Sequence, residues 1–144
     1  MSRQLRRINQ YRRKNKNLIA ANKIKPQKWC ISHTEAQTAL NAQGYNVKQI
    51  KKIYCLKHQV CISFWDIKGN ICSSFFSYRI FLRWQKEVES LISSCQIMKE
   101  WQRLNYLLKY EFAYYRYSQE MEEGLQAALE NRMKVLTTKE PQAV

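Results

Sequence analysis

Asn46-Val-Lys-Gln-Ile-Lys-Lys-Ile-Tyr-Cys-Leu-Lys57 is the stretch on which the fold turns. Val47, Ile50, Ile53 and Tyr54 recur at i, i+3, i+6 and i+7, a helical period that leaves Lys48, Gln49, Lys51 and Lys52 outside. Asn46 is a suitable N-cap for such a helix. The competing reading makes Ile50 to Lys57 a strand, because Ile-Tyr-Cys has β propensity. Ile50, Lys52, Tyr54 and Leu56 do not alternate cleanly with Lys51, Ile53, Cys55 and Lys57, which favours the helix. The strand reading yields a three-stranded meander with flanking helices.

The neighbouring residues are easier to read. Upstream, Ser32-His-Thr-Glu35 is a capping box, in which hydroxyl and carboxylate satisfy exposed amides at a helix start. That helix carries Ala36, Ala39 and Leu40 and stops at Gly44, a suitable C′ residue. Downstream, the period changes to two: Val60, Ile62 and Phe64 alternate with Cys61, Ser63 and Trp65, and Ile71, Ser73 and Phe75 with Cys72, Ser74 and Phe76. Asp66-Ile-Lys-Gly69-Asn70 between them has the residues a hairpin turn needs, so a β-hairpin is expected.

Charge is divided between the two ends. Residues 1–57 hold 14 of the 25 Lys and Arg and one acid, Glu35, a local net charge of +13, whereas the remainder nets +1. A surplus so confined acts as a field aimed at a polyanion. Its densest part is Arg3 to Asn22, where Leu5, Ile8, Tyr11, Leu18 and Ile19 share one helical face. Arg3, Arg6, Arg7, Arg12, Arg13, Lys14 and Lys16 cover the rest, and their mutual repulsion makes this a segment that orders on a partner.

The C-terminal half is read as helix. Phe81, Trp84, Val88, Leu91 and Ile92 form one stripe, and Ser93 with Gln96 matches a second capping box. Trp101, Leu104, Leu108, Phe112 and Tyr115 form the next stripe, which a second copy of the chain is expected to cover. Ser118, with Glu120, Glu122 and Glu123 behind it, starts a separate helix if the long one is interrupted there. Tyr106, Tyr110, Tyr114 and Tyr117 are expected to pack against another helix, with base stacking as the alternative.

Several functions find little material. There is one Asp, Asp66, so paired aspartates cannot hold two metals, and three Gly give no phosphate-cradling loop. No catalytic activity, cofactor or small-molecule substrate is expected. Cys30-x-x-His33 with Cys55-x-x-His58-x-x-Cys61 has zinc-like spacing, yet Cys55 and Cys61 sit among residues where thiols pack as small hydrophobes, so no metal is expected. No apolar run approaches the roughly 20 residues that span a bilayer. No apolar stretch follows the basic start, so no secretory signal is expected. Five scattered Cys fit reduced thiols in the cytoplasm, or the nucleoid of a bacterium.

With the helix reading, Thr34 to Lys57 resembles a helix-turn-helix, and a hairpin directly after it resembles the wing of winged helix-turn-helix proteins. The later helices resemble the element order of MerR-like regulators. The resemblance implies an α+β, mostly helical fold with a basic arm over 1–28, a winged nucleic-acid-binding domain over 29–93, a dimerisation region over 94–136 and a tail over 137–144. It implies sequence-specific DNA binding as a homodimer, in a transcriptional regulator or a mobile-element accessory factor, with Asn46, Lys48, Gln49, Lys51 and Lys52 facing the groove. Lys68 becomes the wing-tip phosphate contact. An RNA-binding ribonucleoprotein component and an adaptor with a basic docking arm are the alternatives.

Overall fold

A computed structural model of the chain describes residues 17–139. These fold as α+β, mostly helical, with a three-stranded antiparallel sheet of order β1-β2-β3. The strands are β1 (Val47–Cys55), β2 (Gln59–Asp66) and β3 (Ile71–Ser77). The helices are α1 (His33–Ala42), α2 (Leu82–Ser93), α3 (Met98–Tyr114) and α4 (Gln119–Lys139). No helix among the described residues is long and apolar enough to cross a membrane. The described residues divide into two compact units, residues 25–84 and residues 17–24 with 85–139.

In the first unit, Ser32 caps α1 by accepting from the Glu35 amide at 3.1 Å, as the capping box predicts. The Glu35 carboxylate takes a different partner, accepting from Arg83 Nη2 at 2.6 Å and Nε at 2.9 Å. Gly44 follows α1 at φ +97°, the left-handed position expected of it. The predicted hairpin forms as β2 and β3. In its turn, Asp66 Oδ1 accepts from the Lys68 and Asn70 amides at 2.9 Å each, and Gly69 supplies φ +84°.

The recognition helix does not form. Val47–Cys55 is a strand, so the helix-turn-helix gives way to the meander, and the hairpin is part of one sheet rather than a wing. The physical reason is visible in the pairing of β1 with β2. Val47 lies opposite Asp66 and Gln49 opposite Trp65, then Ile50 opposite Phe64 and Lys52 opposite Ser63. Twice, therefore, one extra residue is accommodated, Lys48 and then Lys51, each making a β-bulge. Two bulges stretch the inward spacing from two to three, and Val47, Ile50 and Ile53 imitate a helix.

The inward face collects Val47, Ile50, Val60, Ile62, Phe64 and Phe76, all buried. Helix α1 covers this face with Ala36 and Leu40, and Tyr45 meets Phe64 and Phe76 edge-on at 6.1 and 5.4 Å. Gln37 Nε2 donates to the Val47 carbonyl and Asn41 Oδ1 accepts from the Val47 amide, each at 3.1 Å, so α1 side chains pin the start of the edge strand. Tyr78, Phe81 and Trp84 complete the core, with Trp29 edge-on to Tyr78 at 5.3 Å.

In the second unit α3 and α4 are separate helices, as the reading with a start at Ser118 has it. Ser118 Oγ accepts from the Met121 amide at 3.2 Å. Gly124 lies within α4 and does not break it. The start of α3 differs from expectation: Ser93 closes α2, the helix begins at Met98, and Glu100 Oε1 accepts from the amides of Gln96 and Ile97 at 3.0 and 3.3 Å. A carboxylate three residues inside the helix reaches both amides, which fixes the start there.

The α3 stripe is covered within the chain. Leu104 and Leu108 are buried, Trp101 Nε1 donates to the Leu129 carbonyl at 2.9 Å, and Phe112 meets Tyr117 at 5.0 Å. Tyr115 Oη accepts from Asn17 at 3.0 Å. Leu18 and Ile19, expected on a helix, are buried in a turn over 17–22, while Arg3, Arg6, Arg7, Arg12, Arg13, Lys14 and Lys16 lie outside the described residues.

Three outcomes are expected. Because Lys51 is supernumerary, deleting it leaves Ile50 and Ile53 inward and lowers the melting temperature by no more than roughly 4–8 °C. Deleting Ile53 reverses the facing of Tyr54 and Cys55 and unfolds the sheet. Leu108→Ala lowers unfolding free energy by about 2–5 kcal/mol in urea titration, at any protein concentration.

Candidate nucleic-acid interface

The pairing that buries one sheet face fixes what the other presents. Cross-strand rows on the outer face are Tyr54, Cys61 and Phe75; then Lys52, Ser63 and Ser73; then Gln49, Trp65 and Ile71. Tyr54, Phe75 and Ile71 are 53%, 58% and 59% exposed, and Trp65 is half-buried. Strands lie about 4.8 Å apart and rise about 3.3 Å per residue, so the three rings mark out a surface about 10 Å by 13 Å. Its floor is low and polar: Ser63 Oγ and Ser73 Oγ lie 3.2 Å apart.

Lysines border this surface. Lys48, Lys51 and Lys52 are all exposed, and the Lys51 ammonium lies 5.8 Å from the Trp65 ring centroid, within cation–π range. The bulges thus set two more cations along one edge than a regular strand holds. No acidic side chain belongs to the outward rows. Lysines and bulges on an edge strand also discourage strand addition. Edge protection does not account for Tyr54, Trp65, Ile71 and Phe75 on the adjoining face, since an exposed apolar patch ringed by polar groups marks a contact site.

The groove-facing set predicted from sequence therefore comes together, on a strand instead of a helix. Lys48, Gln49, Lys51 and Lys52 are exposed on β1, while Asn46 lies in the preceding loop and its carbonyl accepts from the Ile67 amide at 3.2 Å. Lys68 is exposed in the β2–β3 turn. What the sequence reading missed is the aromatic part. The helical period puts Tyr54 on the apolar side, and Trp65 and Phe75 enter the sequence reading only as members of the hairpin's alternating sets, with no face assigned to either. The available signal was that these alternates are bulky and apolar, where a sheet with one wet face calls for polar residues.

The residues with zinc-like spacing do not converge. Cys55 lies opposite Val60 on the inward side and Cys61 opposite Tyr54 on the outward side, so the sheet separates them. His33 opens α1. No three metal-ligating side chains gather among the described residues. Cys30 and Cys55 do line one groove with Trp29, Tyr54 and Leu56. Burial pushes the Cys55 thiol up, while its hydrogen bond with Tyr78 draws it down; burial and Cys55 raise Tyr78 in turn.

Comparison with family profiles, with characterised proteins and with solved structures gave no match, so the reading rests on residues and geometry. One chemical consequence is separable from function. Cys30 is exposed, whereas burial, with a smaller contribution from Glu100, raises the Cys95 thiol. At mildly alkaline pH less thiolate forms at Cys95. Iodoacetamide with peptide mapping is expected to label Cys30 first and Cys95 last.

Proposed function

We propose that the protein binds single-stranded nucleic acid on the outer face of its sheet, with the lysines of β1 holding phosphates and Tyr54, Trp65 and Phe75 stacking unpaired bases. The observation that carries this is the coincidence of three exposed lysines and an acid-free aromatic face on one sheet. Phosphates supply the charge that Lys48, Lys51 and Lys52 complement, and bases supply flat faces that stack on aromatic rings whatever the sequence. Paired bases in a duplex hide those faces. The duplex-reading arrangement expected from the sequence depended on a recognition helix, and its residues form β1 instead. The acid-poor N-terminal arm adds charge of the same sign.

This reading sets magnitudes. Tyr54→Ala and Phe75→Ala each remove a stack worth about 1–3 kcal/mol, and exposed side chains leave the fold intact when truncated. Three β1 lysines on three phosphates contribute about −2 to the slope of log affinity against log salt for a single strand. Fluorescence anisotropy with labelled oligonucleotides is expected to give weaker single-strand binding for both ring variants. Lys51→Ala with Lys52→Ala flattens the salt slope by roughly 1.4. Duplex DNA binding more tightly than single strands, and insensitive to the ring variants, contradicts the proposal and restores the duplex reading.

A further inference from the structure

The near-neutral count of the second half of the chain conceals a second segregation of charge. Helix α3 turns Leu104, Leu108 and Glu111 inward, all buried. The helical period then sets Lys99, Arg103, Tyr106, Tyr110 and Tyr114 along the opposite side, with Lys109 at its flank. Both acids of α3 have hydrogen-bond partners within the chain. Glu111 accepts from the Leu18 amide at 3.0 Å and the Tyr117 hydroxyl at 2.6 Å, and Glu100 is tied to the amides before the helix. The acids Glu120, Glu122, Glu123 and Glu130 belong to α4. The solvent side of α3 is thus cationic, within a half-chain whose net charge is +1.

The tyrosines make this more than a solvated face. Tyr106 is 65% exposed and Tyr114 47%, and the rings of Tyr110 and Tyr114 lie 4.5 Å apart. Tyr is a weaker helix former than the Lys, Glu or Gln that ordinarily occupy such positions. One turn before Tyr106, Arg103 shares a hollow of about 180 Å³ with Lys23 and Glu100, lined also by Leu91, Ser94, Cys95, Leu104 and Leu107. Three leucines beside two cations, with the Glu100 carboxylate occupied by the Gln96 and Ile97 amides, suit a nucleotide, its base against the leucines and its phosphate between the cations. A two-fold copy of the chain suits it poorly, since the cations Lys99, Arg103 and Lys109 of one copy would face those of the other.

From these features we infer that the outer side of α3, with the hollow at Arg103, is a second contact surface for single-stranded nucleic acid. The inference takes its ligand class from the reading of the sheet and is independent of it in residues. The full-length chain is titrated with long oligouridylate and oligothymidylate, which separate RNA from DNA, and with polyglutamate as a polyanion without bases. Tyr106→Ala is expected to weaken oligonucleotide binding at least about fivefold. Arg103→Ala with Lys109→Ala lowers the salt slope by roughly 1.4. Ultraviolet crosslinking is expected to label the peptide that holds Tyr106. Circular dichroism and melting remain as in the parent, because the altered side chains are exposed.

The outcomes separate the two surfaces. If only Tyr54→Ala and Phe75→Ala weaken binding, and no α3 peptide is crosslinked, the inference falls and the sheet reading stands. Should only the α3 variants weaken it, the sheet reading falls and the inference stands. Polyglutamate binding as tightly as the oligonucleotides, with Arg103 and Lys109 needed for both, overturns the base-stacking assignment. Concentration-dependent oligomers that Tyr106→Ala dissolves would make the face a self-association surface and overturn the inference as well.

Discussion

The pairing register of β1 against β2 is the constraint from which the rest of the first unit follows. With Val47, Ile50 and Ile53 turned inward, the buried face closes under α1 and Tyr45, and the outer face receives Tyr54 along with the lysines. A slip of one residue would bury lysines and expose the core, a change no packing elsewhere offsets. The register is held at its start by Gln37 and Asn41 of α1, which bond both backbone groups of Val47. Side chains of one element thereby decide which residues of the next meet solvent.

The same register explains what was legible in the sequence. Residues 59–77 have uninterrupted alternation and an Asp-x-x-Gly-Asn turn, and the hairpin forms as read. The cap at Ser32 and the stop at Gly44 are local devices, legible because each acts through its own backbone neighbours. Residues 47–55 were misread because a bulge is a non-local event: only the partner strand determines that Lys48 and Lys51 are supernumerary. Three apolar residues at spacing three carry the helical signature whichever way they arise. The meander, kept as the competing reading, is the arrangement present.

The basic residues of the candidate interface were legible and its aromatic ones were not. Lys48, Gln49, Lys51 and Lys52 stand exposed together in either fold, since both readings turn the lysines away from the core. Tyr54 changes sides when the helix becomes a strand, and Trp65 and Phe75 gain meaning only once the hairpin's second face is seen to be open. In α3 the difficulty was a net charge taken over too long a segment. Summing residues 58–144 cancels the cations of α3 against the acids of α4, although the two occupy different helices. Electrostatic recognition acts over roughly a Debye length of about 8–10 Å, so the local pattern decides.

The proposed binding puts the ligand on the open face of the sheet rather than on a helix. Ring-proton resonances of Tyr54, Trp65 and Phe75, followed in the full chain during titration with an unlabelled single-stranded oligonucleotide, test it most directly. Stacking places each ring over a base, so the account requires upfield shifts at these three rings that saturate together. Tyr45 and Phe76, on the inward side, stay unmoved. Unshifted rings on the outer face at saturating oligonucleotide, with the perturbation confined to other residues, would contradict it.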